Sequence, residues 1–345
     1  MLEAEQRFTE GLGGSEIVVY GKGPPGDRAA DLFKKSPRLS RMGIWLPRRI
    51  AFAEGALDYF VDINGISQSL GETIINSDVE EQIKKATSFG SLYGVFEEMG
   101  ASFSRPVVVR ASGEKALLGT GYYKSDFLVP TASRMRRAFQ VVTASYLSNE
   151  AKTARDNASV NDWGFGVMFE PMIGQVLDQK GEVLAPLLSG YATSSYMKIY
   201  PGLDGKSNRG AEHISREDIF RHGGRLGAYL AEQRQLHIDG LKKRSLQGLL
   251  TLGTGEPIRN VQVYNPKVFS NGFTKNHHLS LDPGLEERLL NLNLLPVFSA
   301  MDQMEAVFDS PQYFEFAITL DAGGSPLIWG LQATDAYLHP ATRGK

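Results

Sequence analysis

The chain contains no cysteine. Disulfides, thiolate nucleophiles and cysteine-ligated zinc are therefore excluded. An excess of either charge is lacking too: 37 Lys and Arg face 39 Asp and Glu, for a net charge of −2 and a pI near 6.3. That balance offers no basic field to DNA or RNA. No apolar run approaches the ~20 residues that a membrane span needs. The opening segment MLEAEQRFTEGLGG is acidic and has no apolar stretch of signal-peptide type. A cytoplasmic protein with neither a membrane nor a nucleic-acid partner is expected. Histidines number only 6. His277 and His278 are adjacent, so a strand would send them to opposite faces and a zinc pair is not expected. His213 and His222 lie in a charged stretch that reads as solvated, as does the basic run LKKR that includes Lys242.

A chain of 345 residues with 42% apolar content exceeds one compact core, and two lobes are expected, over 1–200 and 201–345. Glu16 to Gly23 reads as a strand closing on a glycine turn, followed after PPGDR by a helix over AADLFKK. The segment around Pro47 reads as extended and Ala53 to Val61 as helical. From Asp78 to Met99 apolar residues recur at three and four, which fits one amphipathic helix or a broken pair. Residues 131–156 predict a helix with Thr131 or Ser133 as cap. GFGVMFEPMIG and VLAPLLSGYATSS read as strands, the region from 200 to 280 is poorly periodic, and LEERLLNLNLLPVFSAMDQMEAVF is helical with an interruption at Pro296. YFEFAITLDAGGSPLIWGLQA then predicts two strands around the turn from Asp321 to Pro326.

The residues that carry chemistry sit at strand ends. VVVRASGEKALLGTGYYKSD, over 107–126, is an apolar strand that ends on Arg110 and runs into a glycine-bearing loop with Ser112, Gly113, Gly119, Thr120 and Gly121. Backbone N–H groups in such a loop, with a guanidinium fork beside them, suit a polyphosphate. The glycine spacing matches neither a Walker loop nor a dinucleotide fingerprint, and an ordinary hairpin is the plain alternative. Lys22 lies in a second glycine turn. Glu315 sits in an apolar strand with Gln332 on its partner strand, two oxygen-bearing side chains suited to Mg2+. An edge position facing water is the plain alternative for Glu315, and a bond to a backbone group is that for Gln332.

Taken in order, these segments resemble the nucleotide-binding domain of the phosphoenolpyruvate synthase and pyruvate phosphate dikinase family, an ATP-grasp fold. GKG with AADLF is similar to the family's glycine-lysine motif and the helix after it. IWLPRRIAFAEGALDYF is similar to its proline-bearing strand and helix, and VVVRASG to the strand ending in its phosphate-binding arginine. LLGTGYYKSDFLV resembles its glycine loop, ASYLSNEAKTAR a helix and VMFEPMI its adenine-contacting strand. IYPGLDG resembles a glycine-leucine-glycine segment. DSPQYFEFAI and PLIWGLQA resemble the strands with its metal-binding glutamate and glutamine. The likeness covers most of residues 16–333.

The resemblance implies an α+β ATP-grasp fold, two lobes enclosing a nucleotide cleft, with ATP and Mg2+ as cofactors. Lys22 and Arg110 would neutralise phosphates, helped by Ser112, Gly119, Thr120 and Gly121, with the loop over 113–124 closing as a lid. The backbone around Glu170 and Met172 would contact adenine, and Glu315 with Gln332 would hold Mg2+. The implied activity is transfer of a phosphoryl group from Mg-ATP to a histidine, with release of AMP and phosphate. Nothing in the chain resembles the family's glycine-threonine-serine-histidine motif. The histidine and the final acceptor site are therefore expected on a partner subunit, as in phenylphosphate synthase, which resembles phosphoenolpyruvate synthase cut into subunits. Three departures stand out. Tyr313 occupies a place that is acidic in the family, Thr334 a place that is arginine, and PPGDR is inserted before the first helix. A nucleotide-binding regulatory or scaffolding protein without turnover, and an ADP-forming ATP-grasp ligase, are the alternatives.

Overall fold

A computed structural model of the chain describes residues 4–9, 16–66, 77–113, 123, 125–157, 164–203, 212–238, 258–264 and 273–336. Helices and antiparallel-rich sheets are mixed along the chain, an α+β arrangement. It divides into two compact units. The first comprises Met1–Pro37, Pro47–Met172 and Tyr337–Lys345, and the second Arg38–Leu46 and Ile173–Ala336. The expected boundary at 200 thus lies inside the second unit.

In the first unit, β1 (Ala4–Thr9), β2 (Glu16–Tyr20), β3 (Arg49–Phe52), β4 (Val107–Ser112), β5 (Ser125–Leu128) and β6 (Gly166–Pro171) form a six-stranded sheet in the order β1-β2-β3-β6-β4-β5. Only β2 and β3 run parallel. Side chains alternate across the pleat, so each strand feeds both faces. One face carries Val18, Tyr20, Ile50, Phe52, Val107, Val109, Val167 and Phe169, all buried together with α2 (Glu54–Ile63), α4 (Leu92–Ser102) and α5 (Ala132–Tyr146). Phe52 is its hub, stacked on Phe96 at 5.2 Å and meeting Phe139 and Phe169 edge-on at 5.2 and 5.7 Å. The other face packs Ile17, Val19, Ala51 and Met168 against Ala29 and Leu32 of α1 (Asp27–Arg41).

Local chemistry sets the helix ends. Thr131 caps α5, its hydroxyl accepting from the Arg134 N–H. The single helix expected over 131–156 is two, because the Ser148 hydroxyl accepts from the Ala151 N–H at 3.2 Å and starts α6 (Asn149–Asn157) anew. The pattern from Asp78 resolves into a pair, α3 (Ser77–Lys85) and α4.

The second unit holds two sheets. β7 (Gln175–Val176), β8 (Leu184–Ala185), β12 (Ile258–Tyr264) and β13 (Phe273–Leu279) form one, in the order β13-β12-β8-β7. β9 (Leu188–Ala192), β10 (Tyr196–Pro201), β11 (Glu212–Ser215), β14 (Gln312–Leu320) and β15 (Pro326–Asp335) form the other, in the order β11-β10-β9-β14-β15. Its outer edge at β15 is met by Trp45, whose N–H donates to the Ile328 carbonyl and whose carbonyl accepts from Gly330, both at 2.8 Å. A Cβ at Gly330 would lie 3.0 Å from Ile44 and 3.2 Å from Leu46, so a larger residue there would have to displace both side chains. Helices α7 (Arg216–Arg221), α8 (Leu226–Ile238), α9 (Pro283–Leu290) and α10 (Leu295–Phe308) complete the unit. Pro296 opens α10 instead of kinking a longer helix, with Asn293 accepting from the Leu295 N–H at 3.0 Å. α10 packs on β9 and β14. On the face with Ala192, Met197, Ile199, Phe314 and Phe316, every side chain is fully buried.

Among the described residues no helix is long and apolar enough to cross a membrane.

Candidate functional site

In the first unit the chemistry gathers on the α1 face of the sheet. Register places Arg110 opposite Met168 and Val108 opposite Glu170, so Arg110, Ser112 and Glu170 share that face. Arg49, the first residue of β3, stands beside Glu170 on β6. Arg49 Nε donates to Glu170 Oε2 at 3.0 Å. Arg110 Nε lies 2.8 Å from Glu170 Oε1, an ion pair whose angle does not make a hydrogen bond. The Arg49 side chain is fully buried and that of Glu170 is 2% exposed, whereas that of Arg110 keeps 24% of its surface. Burial pushes the Glu170 carboxyl up, but the Arg110, Arg49 and Arg28 guanidiniums outweigh it and hold the group below its ordinary value. Burial lowers Arg49 despite Glu170, with Arg28 and Arg110 adding to the effect. An arginine begins so far above neutrality that it stays charged. Three guanidiniums therefore act on one carboxylate.

The glycine turn with Lys22 lies at the end of the sheet where β2, β3 and β4 finish and β6 begins. The Lys22 carbonyl accepts from the Gly55 N–H at 2.8 Å and its side chain is exposed. Gly26, at φ +78°, passes so close to Ser112 that a Cβ would fall 1.6 Å from its carbonyl oxygen. Ser112 is fully buried, and its hydroxyl accepts from the Ala29 N–H at 2.8 Å. A serine 83 residues away thus supplies the cap that α1 lacks locally. The structure brings Lys22, Ser112 and Arg110 to one end of this sheet. Glu170 and Met172 lie toward the other, four and six residues along from Gly166, or roughly 13 and 20 Å at ~3.3 Å per residue. The Met172 N–H donates to the Pro106 carbonyl at 2.7 Å. An adenine there would therefore meet carbonyl acceptors rather than that donor. Gly119, Thr120 and Gly121 fall outside the described residues. At the base of their loop, Tyr123 packs beside Tyr146 and Phe165, and a Cβ on Gly113 would come within 2.6 Å of the Tyr123 ring.

In the second unit the chemistry lies on the face of the five-stranded sheet opposite α10. Glu315 is directly across from Gln332 on β15 and from Tyr191 on β9. Tyr191 is across from Lys198, and Lys198 from His213. One row therefore crosses all five strands: His213, Lys198, Tyr191, Glu315, Gln332. The adjacent row carries Tyr196, Tyr313 and Thr334. Glu315 is on an interior strand, not on a water-facing edge. Gln332 is 1% and Thr334 2% exposed, yet Gln332 Nε2 and Thr334 Oγ1 have no hydrogen-bond partner among the described residues. The Gln332 amide nitrogen makes no bond to a backbone group among the described residues. Tyr313 is buried and packs on Tyr191 at 4.9 Å between ring centres.

Arg28, Arg49, Lys198 and Tyr191 escaped the sequence reading. The alternation in YMKIY carries the signal for Lys198, since Met197 and Ile199 face inward and Lys198 must face the other way. Nothing local marks Arg49 as a buried partner of Glu170. His222 is paired with Glu232 at 2.7 Å and with the Asp218 carbonyl at 2.6 Å, so it is not simply solvated. His277 and His278 are consecutive on β13. Lys242 lies outside the described residues. Among the described residues, no group of three or more His, Cys, Asp or Glu is placed to hold a metal ion. Mg2+ does not require one: it is commonly held by one or two carboxylates, with phosphate oxygens and water filling the rest.

Compared with known proteins, the chain matches no family model and no curated sequence.

Proposed function

We propose that this chain is the ATP-binding component of an ATP-grasp phosphotransferase of the phosphoenolpyruvate synthase and pyruvate phosphate dikinase type. It converts ATP, water and a histidine on a partner subunit into phosphohistidine, AMP and phosphate. The observation that carries this reading is the register pair of Glu315, on the interior strand β14, and Gln332, on the edge strand β15, beside buried polar atoms that have no hydrogen-bond partner among the described residues. A buried polar atom without a partner is costly, so such atoms mark a place where a ligand completes the set. The unpartnered atoms, an amide nitrogen and a hydroxyl, would donate to phosphate oxygens, while the Glu315 carboxylate and the Gln332 amide oxygen are hard donors that fit Mg2+, and the metal would neutralise charge on the transferred phosphoryl group. In the first unit the half-exposed Arg110, fixed by Glu170, and the exposed Lys22 supply cations for phosphate oxygens. Phosphoryl transfer needs mainly positioning and charge stabilisation, which both sets of residues offer.

Binding without turnover is the second reading, favoured by Tyr313, whose buried ring stands where the family has an acid. Calorimetry of Mg-ATP on the chain tests the common core of both. Arg110→Ala and Glu315→Ala should each weaken binding by about tenfold or more, the worth of a charge-assisted contact, and Glu315→Ala should also remove the Mg2+ dependence. Unchanged affinity in both variants would sink the proposal. AMP production with a partner that carries the histidine separates turnover from binding alone, and ADP would indicate a ligase.

A further inference from the structure

Among the described residues, Lys198 is a cation without a counter-ion. It lies on β10, in the third row position from Glu315, separated from it by Tyr191. Its side chain is half-buried and makes no hydrogen bond or ion pair among the described residues. Its Nζ rests 5.5 Å from the centre of the Tyr200 ring, two residues along the same face. Strands lie ~4.8 Å apart, so the Lys198 and Glu315 backbones are roughly 10 Å from each other, a span that a ligand held by both side chains could bridge. Ser189 and Ala317, opposite each other in the row beyond, are small and leave the middle of the face low. Tyr200 and Trp329 bound that row at its two sides. Gln332 and Thr334, each with a buried polar atom that has no partner among the described residues, belong to the same face.

We infer that Lys198 is a phosphate-binding residue of the second unit, contacting the anionic oxygens of a metal-bound polyphosphate whose metal is held by Glu315 and Gln332. This rests on the nucleotide reading above and extends it. Lys198 takes over the charge that the family places at the position of Thr334, from another strand of the same face. The ligand class is a magnesium polyphosphate, with a nucleoside triphosphate as its cellular form. An ammonium on a flexible stem is suited to this, since it acts as a point charge and needs no fixed fork. The half-buried lysine, which has no ion pair among the described residues, gains one when the anion is present.

The test is calorimetry of the whole chain, wild type and Lys198→Ala, with MgATP, AMP and inorganic tripolyphosphate. Lys198→Arg serves as rescue, and thermal melting verifies that the variants fold. The expected result is a loss of about 10- to 100-fold for MgATP and for tripolyphosphate in Lys198→Ala, little change for AMP, and recovery in Lys198→Arg. An equal loss for AMP, or none for MgATP, overturns the assignment. If Glu315→Ala abolishes MgATP binding while Lys198→Ala does not alter it, the nucleotide reading stands and Lys198 alone is wrong. Should tripolyphosphate bind through Lys198 while ATP does not bind at all, the anion site stands and the nucleotide reading fails. Binding of neither probe by the wild type refutes both.

Discussion

A buried polar cluster in each unit is held in a different way. Under α1 in the first, Arg49 and Arg110 are ion-paired to Glu170, and of the three only Arg110 keeps a face to solvent. On the five-stranded sheet of the second, Gln332 and Thr334 are just as buried, but Gln332 Nε2 and Thr334 Oγ1 have neither a hydrogen bond nor an ion pair among the described residues. The first arrangement balances its charges within the protein and aims one guanidinium. The second, on the reading proposed above, is completed by a ligand. Removing a group should therefore damage the fold in the first case and spare it in the second.

The sharpest way to break that contrast is Glu170→Gln. It leaves Arg49 charged and fully buried without its carboxylate, and a loss of about 3–5 kcal/mol is expected in urea unfolding. A loss below ~1 kcal/mol would mean that Arg49 finds another partner. Acid should act on the same group. The Glu170 carboxyl is held below its ordinary value in the fold, so its contribution is full above about pH 4.5. It fades as pH falls through the depressed value, because the unfolded chain then binds the proton more readily. Comparing the acid limbs of wild type and Glu170→Gln by circular dichroism isolates that contribution. The two limbs should converge as pH drops.

Ser112→Ala comes next. It deletes the remote cap of α1, which should cost about 1 kcal/mol. A melt indistinguishable from wild type would show that water replaces the hydroxyl. The smallest effect on stability is expected from Gln332→Met, an apolar side chain of similar volume. Replacing an amide that has an unpaired buried nitrogen should change stability by less than ~1 kcal/mol, or raise it, while Mg2+-dependent ATP binding is lost. A large destabilisation there would show that the polar face is structural, and the contrast between the units would collapse.

Much of the local structure was legible in the sequence. Thr131 marks its helix, the Asp321 to Pro326 turn marks a hairpin, and period-two alternation places Glu315 and Gln332 on paired strands. Pairing between distant segments was not legible. Arg49 and Glu170 are separated by 121 positions and meet only because β3 and β4 both flank β6. Alternation states which face a residue occupies, not which strand lies beside it. Ser112 was read as a phosphate donor from its loop, and only the approach of α1 through Gly26 shows that its hydroxyl caps a helix. Lys198 sat just before the region from 200 to 280 that reads as poorly periodic and outside every segment assigned as a strand, although the five residues of YMKIY carry a clean alternation.

The Ser112 hydroxyl also bears on the order in which the chain assembles. Helix α1 begins behind a left-handed glycine and borrows its cap from a strand far along the chain, so its first turn gains that bond only after β4 has found its place in the sheet. A contact of such separation requires a large loop to close first, and it belongs to the late part of folding. In stopped-flow experiments Ser112→Ala should accelerate unfolding and leave the folding limb almost untouched. The first helix of the polypeptide would then be among the last to become secure.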